Sequence, residues 1–270
     1  MDNVSNFVEL KKSNKIWAIG SIHSNLKSFT SIKEFLQNNF EENDKLIFLG
    51  NVIGLGNNSK ETLSSVIDLR FNLMSKFKLK PETIVFLRGA QEEMFSKLLQ
   101  LQLAPNPAEI IEWMFDHGVN ETIKSYGFSQ NELKNIASSG TINISKWTTN
   151  LHKALYSNPG HPQYFLNLKH AAYSYTKKIL FVNRGVDITR PLSAQNDCFW
   201  WGFQNFSSIQ KPYKTFSRIV RGYESEHLNK QEIIKNNIVC TLFKQPLSNK
   251  SVLCGIFREN GEILDLFENK

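Results

Sequence analysis

Apolar residues fall along this chain in two rhythms. Short unbroken runs, Lys15–Gly20 (KIWAIG), Lys45–Leu49 and Thr83–Leu87 (TIVFL), have the length and composition of buried strands. Between them the apolar positions recur at helical spacing. Leu26, Phe29, Ile32, Phe35 and Leu36 form one face across Asn25–Phe40, and Leu63, Val66, Ile67 and Leu73 form another across about Lys60–Lys76. Pro81 precedes the third strand, Arg88-Gly89 breaks it, and a helix is predicted from about Ala90 to Leu103. Strand–helix alternation of this kind predicts a parallel sheet flanked by helices.

The rhythm changes after Pro105 and Pro107. From Pro107 to Tyr156 only helical spacing is present, with Ser129-Gln130-Asn131-Glu132 as a capping box, and the segment ends at Asn158-Pro159-Gly160. Its Ile110, Trp113, Met114, Ile142, Trp147 and Leu151 are expected to pack onto the sheet or cover its mouth. The segment reads as a helical insertion, residues 104–160, in a single domain spanning residues 1–270. Strands return at Ala171–Tyr175, Lys178–Val182, Arg218–Val220, Ile238–Phe243 and Val252–Phe257, and Asn260-Gly261 predicts a closing hairpin with Glu262–Phe267.

Composition narrows the class. The chain has 270 residues, 41% of them hydrophobic and 20 of them Phe, enough for a large packed core. A net charge of +7 permits anionic partners, but the lysines are scattered, which reads as a solvated basic surface. Cys198, Cys240 and Cys254 are an odd number with no close pair, so neither a disulfide framework nor a zinc knuckle is indicated. No signal peptide or membrane helix is apparent, and a cytoplasmic protein without membrane contact is expected.

Candidate chemistry lies in the loops after the strands, where α/β sheets gather their sites. These are Gly20-Ser21-Ile22-His23-Ser24, Gly50-Asn51-Val52-Ile53-Gly54-Leu55-Gly56, Arg88-Gly89-Ala90-Gln91-Glu92, Asn183-Arg184-Gly185-Val186-Asp187 and Arg221-Gly222-Tyr223-Glu224. The second has an active-site shape, a buried strand ending in a Gly-rich loop before a helix. Between Gly50 and Asn58 it nevertheless contains no acid, base or nucleophile.

In order and flanks these blocks resemble the calcineurin-like metallophosphoesterases, most closely the phosphoprotein (serine/threonine) phosphatase branch. That family reads GDxHG, GDxxDRG, GNHE, a histidine at a strand end, and GH or RGH. The flanks here are FLG before the second block, NSKE after it, IVFLRG before the third, FV before the fourth and IVRG before the fifth. The resemblance covers about residues 15–267 apart from the helical segment. It implies an α/β fold of metallophosphoesterase type, a β-sandwich flanked by helices with a helical insertion.

The resemblance also implies where two metals and a general acid would sit. The first-block aspartate position is Ser21, and the first-block histidine is retained as His23. The bridging aspartate position is Asn51, and the DRG portion has become Gly54-Leu55-Gly56. The GNHE asparagine and histidine positions are Ala90 and Gln91. The two later histidine positions are Asn183 and Tyr223. Of the matched metal ligands only His23 stands.

Together these substitutions point to loss of the family reaction. Paired dications about 3.5–4 Å apart need a bridging anion, and Asn51 is neutral. Ala90 has no ligand atom, a single histidine does not hold a catalytic metal, and Gln91 does not transfer protons near neutral pH. No metal cofactor is therefore expected, and His23 reads as a loop imidazole. Asp187 and Glu92 read as solvated or capping acids, and Gly89 and Gly222 as tight-turn glycines. Arg88, Arg184 and Arg221 are candidates for binding a phosphate or carboxylate without metal, across a cleft floor that should be net positive. The bland reading pairs these arginines with Glu92, Asp187 or Glu224, or points them outward.

The expected function is a degenerate phosphatase-like protein acting in binding or regulation, with a protein or phosphorylated ligand as partner. The alternative is an active metallophosphoesterase with two divalent metals on relocated ligands, drawing on His117, His152, His161 or His170. A nucleic-acid binder is suggested only by net charge and by Trp200 and Trp201, whose place in the resemblance points instead to core packing.

Overall fold

The structure is a computed structural model that describes residues 6–202, 206–223, 238–243 and 251–268. Its strands form two sheets. In the first, β2 (Ile16–Ile19), β3 (Lys45–Phe48) and β4 (Ile84–Phe86) run parallel, Ile16 opposite Lys45 and Leu46 opposite Ile84. Beyond β2 lie the antiparallel β9 (Leu253–Phe257) and β10 (Ile263–Glu268), the hairpin that Asn260-Gly261 predicts. The second sheet runs, in spatial order, β1 (Phe7–Glu9), β5 (Ala171–Tyr173), β6 (Ile179–Val182), β7 (Arg218–Arg221) and β8 (Val239–Thr241).

Alternation along each strand explains the layering. Ile16, Ala18, Ile47, Leu49, Val85 and Leu87 of the first sheet share a core with Ala172, Ile179, Phe181, Val220 and Cys240 of the second. The intervening residues of the first sheet, Trp17, Ile19, Leu46, Phe48, Ile84 and Phe86, face a second core made with the helices. With both faces covered, β2, β3 and β4 have no polar side of their own, which is why they read as unbroken apolar runs. The fold is thus a β-sandwich with helices against it.

Helix α1 (Leu26–Asn39) is capped by Asn25, whose Oδ1 accepts from Ser28 N at 3.1 Å, and it buries Phe29, Ile32 and Leu36. Helix α2 (Ser59–Phe77) buries Leu63, Val66, Ile67 and Leu73, the face its spacing predicts. Helix α3 (Ala90–Leu98) stops before the predicted Leu103, and a separate 3-10 turn occupies Leu101–Leu103. The helical segment resolves into α4 (Pro107–Asp116), α5 (Val119–Ser125), α6 (Gln130–Ala137) and α7 (Thr141–Tyr156), followed by an unpredicted α8 (His161–Leu166). Ser129 caps α6 through Glu132 N as its sequence suggests.

Met114, Trp147 and Leu151 join the core, but Trp113 and Ile142 are exposed, against expectation. Ile142 lies in the first turn of α7, whose buried face carries Ile144, Trp147, Leu151 and Leu155. Strand β1 and the short α9 (Cys198–Trp201) are also not legible in the sequence, being three and four residues long. Trp200 packs in the core of the second sheet. Among the described residues no helix is long and apolar enough to cross a membrane.

Candidate functional site

The loops following β2, β3, β4, β6 and β7 meet at one end of the sandwich, and the backbone ties them together. Ser21 N donates to Gly222 O at 2.9 Å, and Ile22 N and His23 N both donate to Asn51 O, at 3.0 and 2.8 Å. Asn183 Nδ2 donates to Leu49 O at 2.6 Å, and Gly222 N donates to Asn183 O at 2.9 Å. The five blocks separated in sequence are therefore one constellation in space. Glu224 lies outside the described residues.

Asn51 occupies the centre. It is buried in a left-handed conformation, φ 53°, and its Oδ1 accepts from Gln91 N at 3.1 Å. That bond fixes the amide orientation, because an NH2 group facing a backbone N–H would put two donors together. The Nδ2 then donates to Ser21 Oγ at 3.3 Å. Ala90, beside them, contributes no polar side-chain atom.

Beneath Asn51 lies a carboxylate whose expected place is the surface or a helix cap. Glu92 is fully buried and accepts from Gly89 N at 3.0 Å, Asn51 N at 2.8 Å and Val52 N at 2.7 Å, with Tyr164 OH at 3.2 Å. Its capping role at the start of α3 holds, and the surface role does not. Burial pushes its pKa up, opposed by these backbone donors. Gly89 also needs correcting: its φ is −107°, so no left-handed turn requires glycine. A Cβ there would lie 2.3 Å from Asn51 Oδ1, so close packing is the reason instead. Gly222 is similar, set against Leu49.

Gln91 Nε2 reaches across to His117 O at 2.8 Å, where α4 gives way to α5, and so joins the site to the helical segment. Gly54, at φ 85°, lies under that side chain, and a Cβ would sit 2.0 Å from Gln91 Oε1. Leu55 packs on Gly118 in the same seam. On the opposite rim His23, 6% exposed, meets the edge of Tyr223 with ring centroids 5.0 Å apart, and Phe243 at 6.1 Å.

The three candidate arginines diverge. Arg88 pairs with Glu93 at 2.5 Å and lies over the Trp200 ring. Arg221 is buried, with its Nε donating to Thr241 Oγ1 at 2.8 Å and its guanidinium 4.2 Å from the Phe206 ring centroid. Arg184 lies along Gly202 and over Tyr223, and its carbonyl accepts from Arg221 Nη1 at 3.4 Å. Asp187 is buried, with its Oδ1 accepting from Thr189 Oγ1 and N and its Oδ2 paired with Arg190. Those hydrogen bonds from Thr189, with help from Arg190, hold its pKa down.

The donor set does not suit a two-metal centre. Among the described residues no group of three or more His, Cys, Asp or Glu side chains is placed to hold an ion. The histidines that a relocated site would need are engaged elsewhere. His117 Nδ1 donates to Trp113 O, His152 Nε2 donates to Leu99 O, and His170 packs against Phe7, Phe199 and Trp200. His161 is buried between Tyr126 OH at 2.6 Å and Ser64 Oγ at 3.0 Å. Burial lowers its pKa to about 4.

Neither a family model nor a curated protein sequence matches this chain. Solved structures do. A candidate diadenosine tetraphosphatase superposes with a TM-score of 0.54 at 13% identity, over 98% of this chain and 99% of that one. A point mutant of a cold-active protein tyrosine phosphatase superposes with a TM-score of 0.51 at 12% identity, over 97% of this chain and 83% of that one. At such identities the likeness speaks to architecture, and it agrees with the five ordered blocks at the strand ends: the chain has the fold of the calcineurin-like metallophosphoesterases.

Proposed function

We propose that this chain is a phosphatase-fold protein that has given up metal-dependent phosphoester hydrolysis and acts in binding or regulation, with a protein or a phosphorylated molecule as partner. The orientation of Asn51 carries this reading. Its one ligand-capable oxygen is turned onto Gln91 N, and its NH2 group is turned onto Ser21 Oγ. The position that would bridge two cations thus presents a neutral amide whose oxygen is already bonded. A bridging anion is what lets two dications sit about 3.5–4 Å apart and share a nucleophilic water.

Where a phosphorylated ligand is the partner, the loops at this end supply its recognition. Arg184, half-buried over Tyr223 on the loop after β6, is a candidate contact for it. Elemental analysis of the purified chain, combined with a phosphomonoester assay in added manganese, tests the proposal. Substoichiometric metal and no manganese-dependent turnover are expected. Stoichiometric metal, or turnover that a chelator abolishes, would overturn it in favour of a relocated catalytic centre.

A further inference from the structure

The opposite end of β3 holds a charged group that the loops do not use. Lys45 opens the strand, and the two-residue period puts its Cβ on the face of Ile47 and Leu49, toward the space between the sheets. The residue is only 9% exposed. Its ammonium makes one long hydrogen bond, 3.5 Å to Asp44 O. The Asp44 carboxylate is taken by Trp17 Nε1 at 2.8 Å and by the backbone N–H groups of Lys15 and Glu41. A buried ammonium is costly unless an anion or several acceptors meet it.

Lys45 lines a pocket of about 180 Å³ together with Glu9, Lys11, Lys80, Glu82 and Thr83. The rim acids are already engaged. Glu82 is paired with Lys11 at 2.8 Å, and Glu9 accepts from Tyr173 OH at 3.3 Å with Lys177 Nζ 3.9 Å away. That leaves Lys45 at the floor and the exposed Lys80 at the rim as the cations facing the space. Burial holds the Lys45 ammonium below the ordinary lysine range, against the pull of the Asp44, Glu259 and Glu82 carboxylates.

We propose that this pocket is a binding site for a small tetrahedral oxyanion, a phosphate or the phosphoryl group of a larger molecule, held by Lys45 and Lys80 with Thr83 in its wall. A bound oxyanion gives the ammonium a direct anionic contact beyond its 3.5 Å bond to Asp44 O, and a volume of about 180 Å³ suits an oxyanion rather than a whole nucleotide. The site is independent of the loops around Asn51.

Titration calorimetry of the full chain with inorganic phosphate at fixed ionic strength tests this, with O-phosphoserine as a second arm to separate free phosphate from a phosphoryl group on a carrier. Saturable binding is expected. Lys45→Met and Lys80→Ala should each weaken it at least about tenfold, and Lys153→Ala, on the exposed face of α7, should leave it unchanged. Absence of saturable binding up to about 10 mM phosphate, wild-type affinity in both Lys45→Met and Lys80→Ala, or an equal loss in Lys153→Ala would overturn the proposal. Should Lys45→Met not fold, Lys80→Ala on the exposed rim decides alone.

Discussion

At the end of β3, Ser21, Asn51, Gln91 and Glu92 are buried together, and Asn51 and Glu92 hold the others through named partners. At its start, Lys45 is buried with a single 3.5 Å bond. The same strand thus ends among polar groups several of which bond to one another, and begins with a cation held by one long hydrogen bond. Buried polar groups satisfied from within act as framework, whereas one left short marks where something outside the chain belongs. By that measure neither end is closed, since Gln91 Oε1 and Asn183 Oδ1 are buried without a hydrogen-bond partner among the strand-end loops and Lys45 has only its long bond at the strand's start.

The comparison breaks most sharply at Glu92. Glu92→Ala leaves the N–H groups of Gly89, Asn51 and Val52 without their acceptor, and should lower unfolding free energy by about 3–5 kcal/mol in a urea titration. A loss below about 1 kcal/mol would mean that the loop does not depend on its internal anion.

His161 extends the same idea beneath the helices. Its folded pKa of about 4 lies below the ordinary value of 6.5, so between these limits the unfolded chain binds more protons. Stability should therefore rise with pH across that window and be lost as pH falls through it, by roughly 3 kcal/mol. Denaturation curves of His161→Gln should be flatter between those limits, and an unchanged slope would assign the acid sensitivity elsewhere.

Gly54→Ala sharpens the seam between the Gly-rich loop and Gln91. The added Cβ meets Gln91 at 2.0 Å with φ at 85°, and about 2 kcal/mol of destabilisation is expected. Gln91→Ala in the same chain should return the steric part and leave the backbone part, a coupling that a double-mutant cycle reads directly.

The smallest expected effect has the opposite sign. In phosphate-free buffer Lys45→Met should stabilise the chain by about 1 kcal/mol, because it replaces an under-compensated ammonium with a thioether of similar length. Added phosphate should then stabilise the wild type but not the variant. Destabilisation by Lys45→Met would show that the ammonium is already compensated.

Period and punctuation alone determined much of this protein. Unbroken runs such as KIWAIG and TIVFL report burial on both faces of a strand, and the residues on α2 that recur at helical spacing are the ones it buries. The loops after the strands are expected to gather at one site, and the backbone bonds among them show that they meet. Short elements escaped, since β1 is three residues long and takes its shape from pairing with β5 rather than from its own pattern. Direction escaped as well. Nothing in the string Arg88-Gly89-Ala90-Gln91-Glu92 tells that the glutamate turns inward to bind three backbone N–H groups while the arginine pairs with Glu93. Nor does a lysine at the head of an apolar strand announce that it ends in a pocket shared with residues from β1 and the turn before β4. Periodicity is local and is written in the chain, whereas the partner of a buried charge is set by which segments arrive beside it, and only the tertiary structure decides that.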